Sequence, residues 1–208
     1  MPYNLDGMAR PTDPAVRRRL LERAARMLRD REPVTLRSLV AGTGASTMAV
    51  YTHFGSMEGM WQALRQEGFT GLEDAFAAIP STADPLQDLT ALVCAYLRNG
   101  LDHPDLYRVM FDASIELVDL PAADATLDYL VRAAARARDA GRLRPETVAL
   151  DVATQSWAVA HGLLSLVAGG PLPREDLQHT VPILSALFAG AGDDPERASR
   201  SVRAGWSL

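Results

Sequence analysis

Residues 35–54 read TLRSLVAGTGASTMAVYTHF, two short helical segments on either side of a glycine-containing turn. Thr35 and Ser46 are N-capping residue types, whose side-chain oxygens accept from the free amides of a first helical turn. Gly42 and Gly44 permit the backbone angles that a tight inter-helix turn requires. Leu36, Leu39 and Val40 give the first segment a buried side, and Val50 and Phe54 plug the second. This is the layout of a helix-turn-helix, whose second helix lies in the DNA major groove with its first-turn residues at base edges.

Proline and glycine punctuation extends the helical reading outward. Asp13-Pro14 opens a helix running to about Arg29, and Asp84-Pro85 opens one ending near Asn99-Gly100. Pro104, Pro121, Pro145 and Pro173 stand at helix starts, and Gly141, Gly169-Gly170 and Gly190 at helix ends. Apolar residues recur at helical spacing, as at Leu86, Leu89, Val93 and Leu97, and strand-like alternation is absent. The expected fold is all-α with about nine helices. A three-helix head over residues 1–55 precedes a body over 56–190 and a polar, frayed tail over 191–208. A helix from about Ser56 to Ala78 links head to body.

Charge divides along the same boundary. All 21 basic residues are Arg, and the chain carries −5 overall. Residues 1–55 hold nine Arg against five acidic residues, and residues 56–208 hold twelve against twenty-one. A basic head on an acidic body suits a protein that sets one end on phosphate. The alternative is a solvated first helix that is merely Arg-rich.

Within the motif, Thr35 and Arg37 stand at the start of the first helix, where free amides attract phosphate. Ser46, Thr47 and Met48 cap and open the recognition helix; their small or apolar side chains suit thymine methyls and hydroxyl contacts. Tyr51, Thr52 and His53 carry polar tips suited to phosphate oxygens. Singly, Tyr51 reads more readily as a packing residue and His53 as a surface imidazole; the turn, the caps and Phe54 together favour DNA.

Gly44-Ala45-Ser46 followed by Tyr51-Thr52-His53-Phe54 resembles the DNA-binding motif of the tetracycline-repressor (TetR, AcrR-like) family of bacterial regulators. The likeness extends to about Leu64. It departs at Met57, where family members commonly carry a Lys that holds a phosphate, so one ionic contact per subunit is expected to be missing. Each lost phosphate contact flattens the log–log salt dependence by roughly 0.9.

Two stretches of the body, residues 103–111 (HPDLYRVMF) and residues 157–162 (WAVAHG), resemble the WHG-type C-terminal ligand domain of one branch of that family. Trp157 and His161 are four apart and share a helix face. Trp157, His161, Phe69, Met110, Phe111 and Tyr129 are the candidate pocket residues, with Cys94 beside them. The alternative for His161 is a core histidine bonded to a neighbouring carbonyl. Few charges fall on these faces, so the expected ligand is small and hydrophobic.

The helices expected at about Pro145–Ala168 and Pro173–Ala189 are the dimerisation candidates, through Val152, Val159, Leu163, Leu166, Ile183, Leu184 and Leu187. The resemblance implies pairing of these helices across a two-fold axis and a palindromic operator. It implies a ligand-responsive regulator, most simply a repressor that ligand releases from double-stranded DNA.

Other classes find little support. His53, His103, His161 and His179 show no catalytic or metal-ligand spacing, and a Glu-x-x-His motif is absent. No enzyme activity, metal or cofactor is expected. The single Cys94 excludes an internal disulfide. The N-terminus lacks a secretory apolar region, and the longest apolar run, about Trp157–Gly170, is too short for a bilayer. A cytoplasmic protein without a membrane segment is expected.

Overall fold

The computed structural model describes residues 13–115 and 120–208, the side chains of 120–124 aside. The first twelve residues of the expected head lie outside the described residues, as does the expectation of no leader that rests on them. Among the described residues the secondary structure is helical, without strands.

The head comprises α1 (Pro14–Arg29), α2 (Leu36–Val40) and α3 (Thr47–Phe54). Asp13 accepts from the Ala15 amide at 2.9 Å and Pro14 follows it, so the start of α1 is set by a cap and a fixed φ together. Leu20, Leu21, Ala24 and Met27 line the buried face of α1. Leu20, Leu21 and Ala24 meet Leu39 of α2 and Val50 of α3 in a small head core.

The body is built from α4 (Met57–Ala77), α5 (Pro85–Asp102), α6 (Pro104–Met110), α7 (Leu120–Asp139), α8 (Ala149–Ala168), α9 (Thr180–Gly190) and α10 (Pro195–Gly205). Helix α5 is buried on nearly every side and lies at the centre of the larger core. Gly100 permits this: a Cβ there would stand 2.4 Å from a methyl carbon of Leu164, so α5 and α8 approach more closely than any larger residue allows.

Two helices belong to both cores. Helix α4 places Met60 and Leu64 in the head core and Phe69, Leu72 and Phe76 in the body core. Helix α6 contributes Val109 to the head core and Met110 to the body core. The head is therefore packed onto the body through a shared pair of helices, as well as being joined to it by chain.

Three expectations need correction. The stretch over 191–208 is not a frayed tail: α10 packs against α5 and α9, with Ala198 and Val202 fully buried. Its inward stripe of Ala198, Ser201, Val202 and Gly205 has helical spacing but small side chains, so the Arg residues on its outer face hide it in the sequence. Gly205 matters here, because a Cβ would stand 2.3 Å from the Gln87 carbonyl oxygen. Second, α8 begins at Ala149, four residues beyond Pro145. Third, Pro173 is followed by a 3-10 segment, Arg174–His179, and α9 starts only at Thr180.

A buried ionic cluster ties this rear layer down. Arg142, 2% exposed, donates from Nε and Nη2 to Asp193 at 2.9 and 2.6 Å and from Nη1 to Asp84 at 2.7 Å. Ser201 of α10 accepts from Arg142 at 2.8 Å and donates to Asp84 at 2.5 Å. Asp84 also caps α5, so one carboxylate serves a helix start and a buried ion pair. No helix among the described residues is long and apolar enough to cross a membrane.

Candidate functional site

The helix-turn-helix is held by local hydrogen bonds. The Ser38 amide donates to Thr35 Oγ1 at 3.2 Å and the Thr35 amide to Ser38 Oγ at 2.9 Å, a reciprocal capping box. Ser38 was not singled out in the sequence, because the third position of this motif usually carries Glu or Gln. Thr43 Oγ1 donates to the Val40 carbonyl at 2.8 Å and accepts from the Ala45 amide at 3.1 Å, which braces the turn. Gly42 and Gly44 both take positive φ, 73° and 72°. The Ala49 amide then donates to Ser46 Oγ at 3.3 Å and starts α3.

With its buried side fixed by Val50, α3 turns the opposite side to solvent. Met48 is 67% exposed and Tyr51 49%, among the most exposed large apolar residues of the protein. Thr47, Thr52 and Arg37 are also exposed, and His53 is half-buried beside the Phe54 ring. The Thr52 hydroxyl donates to the Met48 carbonyl at 2.9 Å, so its hydrogen is committed to the helix and its oxygen is left to accept. That makes Thr52 a weaker partner for a phosphate oxygen than the sequence suggests. Met57, where the family resemblance calls for a cation, packs half-buried against the head core.

The recognition helix is also anchored at its end. Gly55, at φ 75°, donates to the Tyr51 carbonyl at 2.8 Å, and Ser56 caps α4 by accepting from the Gly59 amide at 2.9 Å. A Cβ on Gly59 would stand 1.9 Å from the Phe54 carbonyl oxygen, so the start of α4 lies directly against the end of α3.

In the body, α4, α5, α7 and α8 enclose a cavity of about 270 Å³. Phe69, Phe76, Tyr96, Phe111 and Trp157 give it aromatic walls, and Arg65 is its one charged lining residue among the described residues. Phe111, in the turn after α6, is the hub. Its ring meets Phe69 edge-on at 5.7 Å and His161 edge-on at 4.6 Å, and lies 5.1 Å from Tyr107 and 6.2 Å from Trp157. Edge-to-face pairs of this kind favour one fixed arrangement of rings.

Of the candidate pocket residues, Phe69, Phe111 and Trp157 line the cavity, whereas Met110, Tyr129 and His161 stand behind that lining. Met110 fills the contact between α6 and Gly68 of α4, and Tyr129 packs on Phe76 from outside. Cys94 is buried elsewhere in α5, where loss of water pushes its thiol pKa up.

His161 Nδ1 takes two hydroxyls, Tyr96 at 2.7 Å and Tyr107 at 2.8 Å. One ring nitrogen has a single lone pair or a single hydrogen, so both bonds cannot be at full strength. Tyr107 also reaches Ser165 Oγ at 3.0 Å, so the assignment that satisfies most groups has Tyr96 donating to Nδ1 and the proton on Nε2. Burial holds the His161 pKa below its ordinary value, which keeps the ring neutral. Burial likewise raises both tyrosine pKa values, so the hydroxyls stay protonated. The partners of His161 are thus two tyrosines from α5 and α6, neither recognised in the sequence. A polar-tipped Tyr96 inside the otherwise apolar run of residues 91–97 was the available signal.

Arg65 of α4 donates from Nε to the Met110 carbonyl at 2.7 Å and from Nη1 to the Ile115 carbonyl, clamping the end of α6 beside the cavity.

On the outer faces of α8 and α9, Leu166 and Ile183 are exposed, 45% and 41%, with Val159, Leu163 and Leu187 half-buried. Val152 and Leu184 lie inside the protomer core and are removed from the candidate interface. Helical spacing does not separate the inner stripe from the outer one where both are apolar. Val148 and Leu150, exposed at the start of α8, were not anticipated.

Residues 89–181 match the family model described as the tetracyclin repressor-like C-terminal domain. Both body stretches singled out in the sequence fall within that span. No curated protein matches the chain. Among solved structures, a Rhodococcus sp. RHA1 protein of unknown function is 25% identical at a TM-score of 0.74, covering 91% of this chain and 100% of its own. PfmR of Thermus thermophilus, a TetR-family transcriptional regulator, is 19% identical at 0.65, covering 82% and 97%. The TetR-family protein CprB of S. coelicolor A3(2) is 20% identical at 0.65, covering 91% and 95%.

Proposed function

From a chain whose residues 89–181 carry a tetracyclin repressor-like C-terminal domain, on the fold of TetR-family regulators, we propose a homodimeric repressor released from a palindromic operator by a small hydrophobic ligand. The observation that carries this reading is the sharing of α4 and α6 between the two cores. A ligand that repacks Phe69 or Phe111 in the cavity acts on the same two rigid helices that seat the recognition helix through Met60, Leu64 and Val109.

In this reading Thr47, Met48 and Tyr51 face the bases and sugar–phosphate edge, with Thr35, Arg37, Ser46, Thr52 and His53 around them. Contacts of this type give modest, sequence-dependent affinity, because few cations stand on α3. The dimer forms through the outer faces of α8 and α9, where Leu166 and Ile183 are exposed. Gly162 has no atom within 4 Å of its missing Cβ, which leaves room for a partner helix. Two-fold symmetry then spaces two recognition helices for two half-sites.

Ligand must bind the DNA-incompetent arrangement more tightly, and its effect cannot exceed that difference. A hundredfold loss of DNA affinity corresponds to about 2.7 kcal/mol, within the usual range of coupling energies. No chemical step is needed, and the reading is of a regulator and not of an enzyme.

The test is sequencing of genomic fragments retained by the purified protein at about 0.15 M salt. A small set of sites sharing an inverted repeat is expected. Uniform recovery across the genome, or none, would overturn sequence-specific repression.

A further inference from the structure

We propose that the ligand is an aromatic carboxylate of about two-ring size, paired with the Arg65 guanidinium inside the aromatic cavity; this rests on the reading of that cavity as the effector site. Three observations carry it.

The first is charge. Among the described residues Arg65 is the one charged residue lining the cavity, and no acidic residue joins it there. Its partners are the carbonyls of Met110 and Ile115, both neutral, and it makes no salt bridge among the described residues. Asp112 feels the Arg65 charge, but it is fully exposed and is held by the amide and hydroxyl of Ser114. Among the described residues the positive charge at the cavity wall is therefore left without a close counterion. A guanidinium has five N–H donors, and two are engaged, so three remain for a carboxylate. A bidentate Arg–carboxylate pair is the strongest use of them. A cationic ligand would meet an uncompensated like charge.

The second is the wall. Phe69, Phe76, Phe111 and Trp157 present ring faces and edges beside the aliphatic side chains of Leu72, Val93, Leu127 and Leu130. Such surroundings favour a planar ring by edge-to-face and offset contacts.

The third is size. A cavity of about 150 Å³ accommodates benzene. The present one, about 270 Å³, is nearly twice as large, enough for two fused rings and too small for a long acyl chain.

The experiment is calorimetric titration of the full-length protein with 2-naphthoate and with its neutral isostere 2-naphthamide. The acid is expected to bind about tenfold more tightly or better, the equivalent of about 1.4 kcal/mol. Arg65→Gln should erase that preference, read as the ratio of the two affinities, whereas Arg65→Lys should retain it in part. If Arg65→Gln does not fold, the wild-type ratio and Arg65→Lys still decide. Equal or tighter binding of naphthamide, an unchanged preference in Arg65→Gln, or binding of neither probe would each overturn the proposal. Retention of inverted-repeat DNA without any probe reads the regulator assignment separately, so the two failures are distinguishable.

Discussion

Val109 and Met110 are consecutive in α6, yet Val109 packs into the head core and Met110 into the body core. A seven-residue helix thus bridges two hydrophobic clusters with adjacent side chains. Helix α4 does the same over a longer span, and Arg65 fastens the two helices together beside the cavity. Coupling between sites needs a packed element with more than one arrangement that both sites bias. In the proposed mechanism α4 and α6 are that element, because both cores share them.

Met110→Ala removes a fully packed side chain from the α4–α6 contact, where the Met110 Cγ lies 2.5 Å from the position a Gly68 Cβ would take. Unfolding free energy should fall by about 2–5 kcal/mol in a denaturant titration. The effect of ligand on DNA affinity should shrink with it. A loss below about 1 kcal/mol would mean that the contact collapses freely and does not transmit position.

Gly59→Ala sets a Cβ 1.9 Å from the Phe54 carbonyl oxygen. The neighbour is backbone and cannot rotate away, so the end of α3 must move. Stability should drop by about 1–3 kcal/mol and operator affinity should fall further than stability accounts for. Calorimetric binding of naphthoate in the cavity should be unaffected, and parallel loss of both activities would argue for general unfolding instead.

Tyr51→Ala and Met48→Ala alter exposed side chains, so thermal stability should stay within about 0.5 kcal/mol of the parent. Fluorescence anisotropy with operator DNA should show binding abolished for Tyr51→Ala and weakened for Met48→Ala. Undiminished binding by Tyr51→Ala would remove α3 as the reading helix.

Trp157→Ala enlarges the cavity at a wall residue that is only half-buried. Operator binding should persist while ligand no longer releases the DNA, which a competition gel-shift would register. A variant that fails to fold would show Trp157 to be core rather than wall.

The Arg142 cluster predicts a pH dependence. Burial tends to raise the Asp84 pKa, but hydrogen bonds from Ser201 and the Gln87 amide, with the Arg142 charge, outweigh it and hold the carboxyl below its ordinary value. Stability from this ionised carboxylate is therefore complete above the unfolded value of about 3.9 and is lost as pH falls through the lower folded value. Acid titration by circular dichroism should show a shallower loss in Asp84→Asn than in the wild type below about pH 4. At neutral pH, Arg142→Ala should cost about 3–5 kcal/mol, because it strands Asp193 as a buried charge.

The sequence alone determined the head. Thr35, Ser46, Gly42 and Gly44 act on neighbours within a few residues, and Asp13-Pro14 and Asp84-Pro85 mark helix starts by the same local rules. Caps, turns and helical periods depend on short-range backbone geometry, so residue type and spacing carry them in full. The all-α class followed for the same reason.

Tertiary structure decided everything that depends on which helix faces which. It sorted Val152 and Leu184 into the core and left Leu166 and Ile183 outside, although all four lie on apolar helices. It set His161 behind the wall between Tyr96 and Tyr107, residues 65 and 54 positions away, and brought Arg65 to carbonyls 45 and 50 positions on. It also joined Arg142 to Asp84, Asp193 and Ser201 and so made a packed helix of residues that look polar in sequence. Such partnerships are made by packing across long chain separations, and no local pattern encodes them.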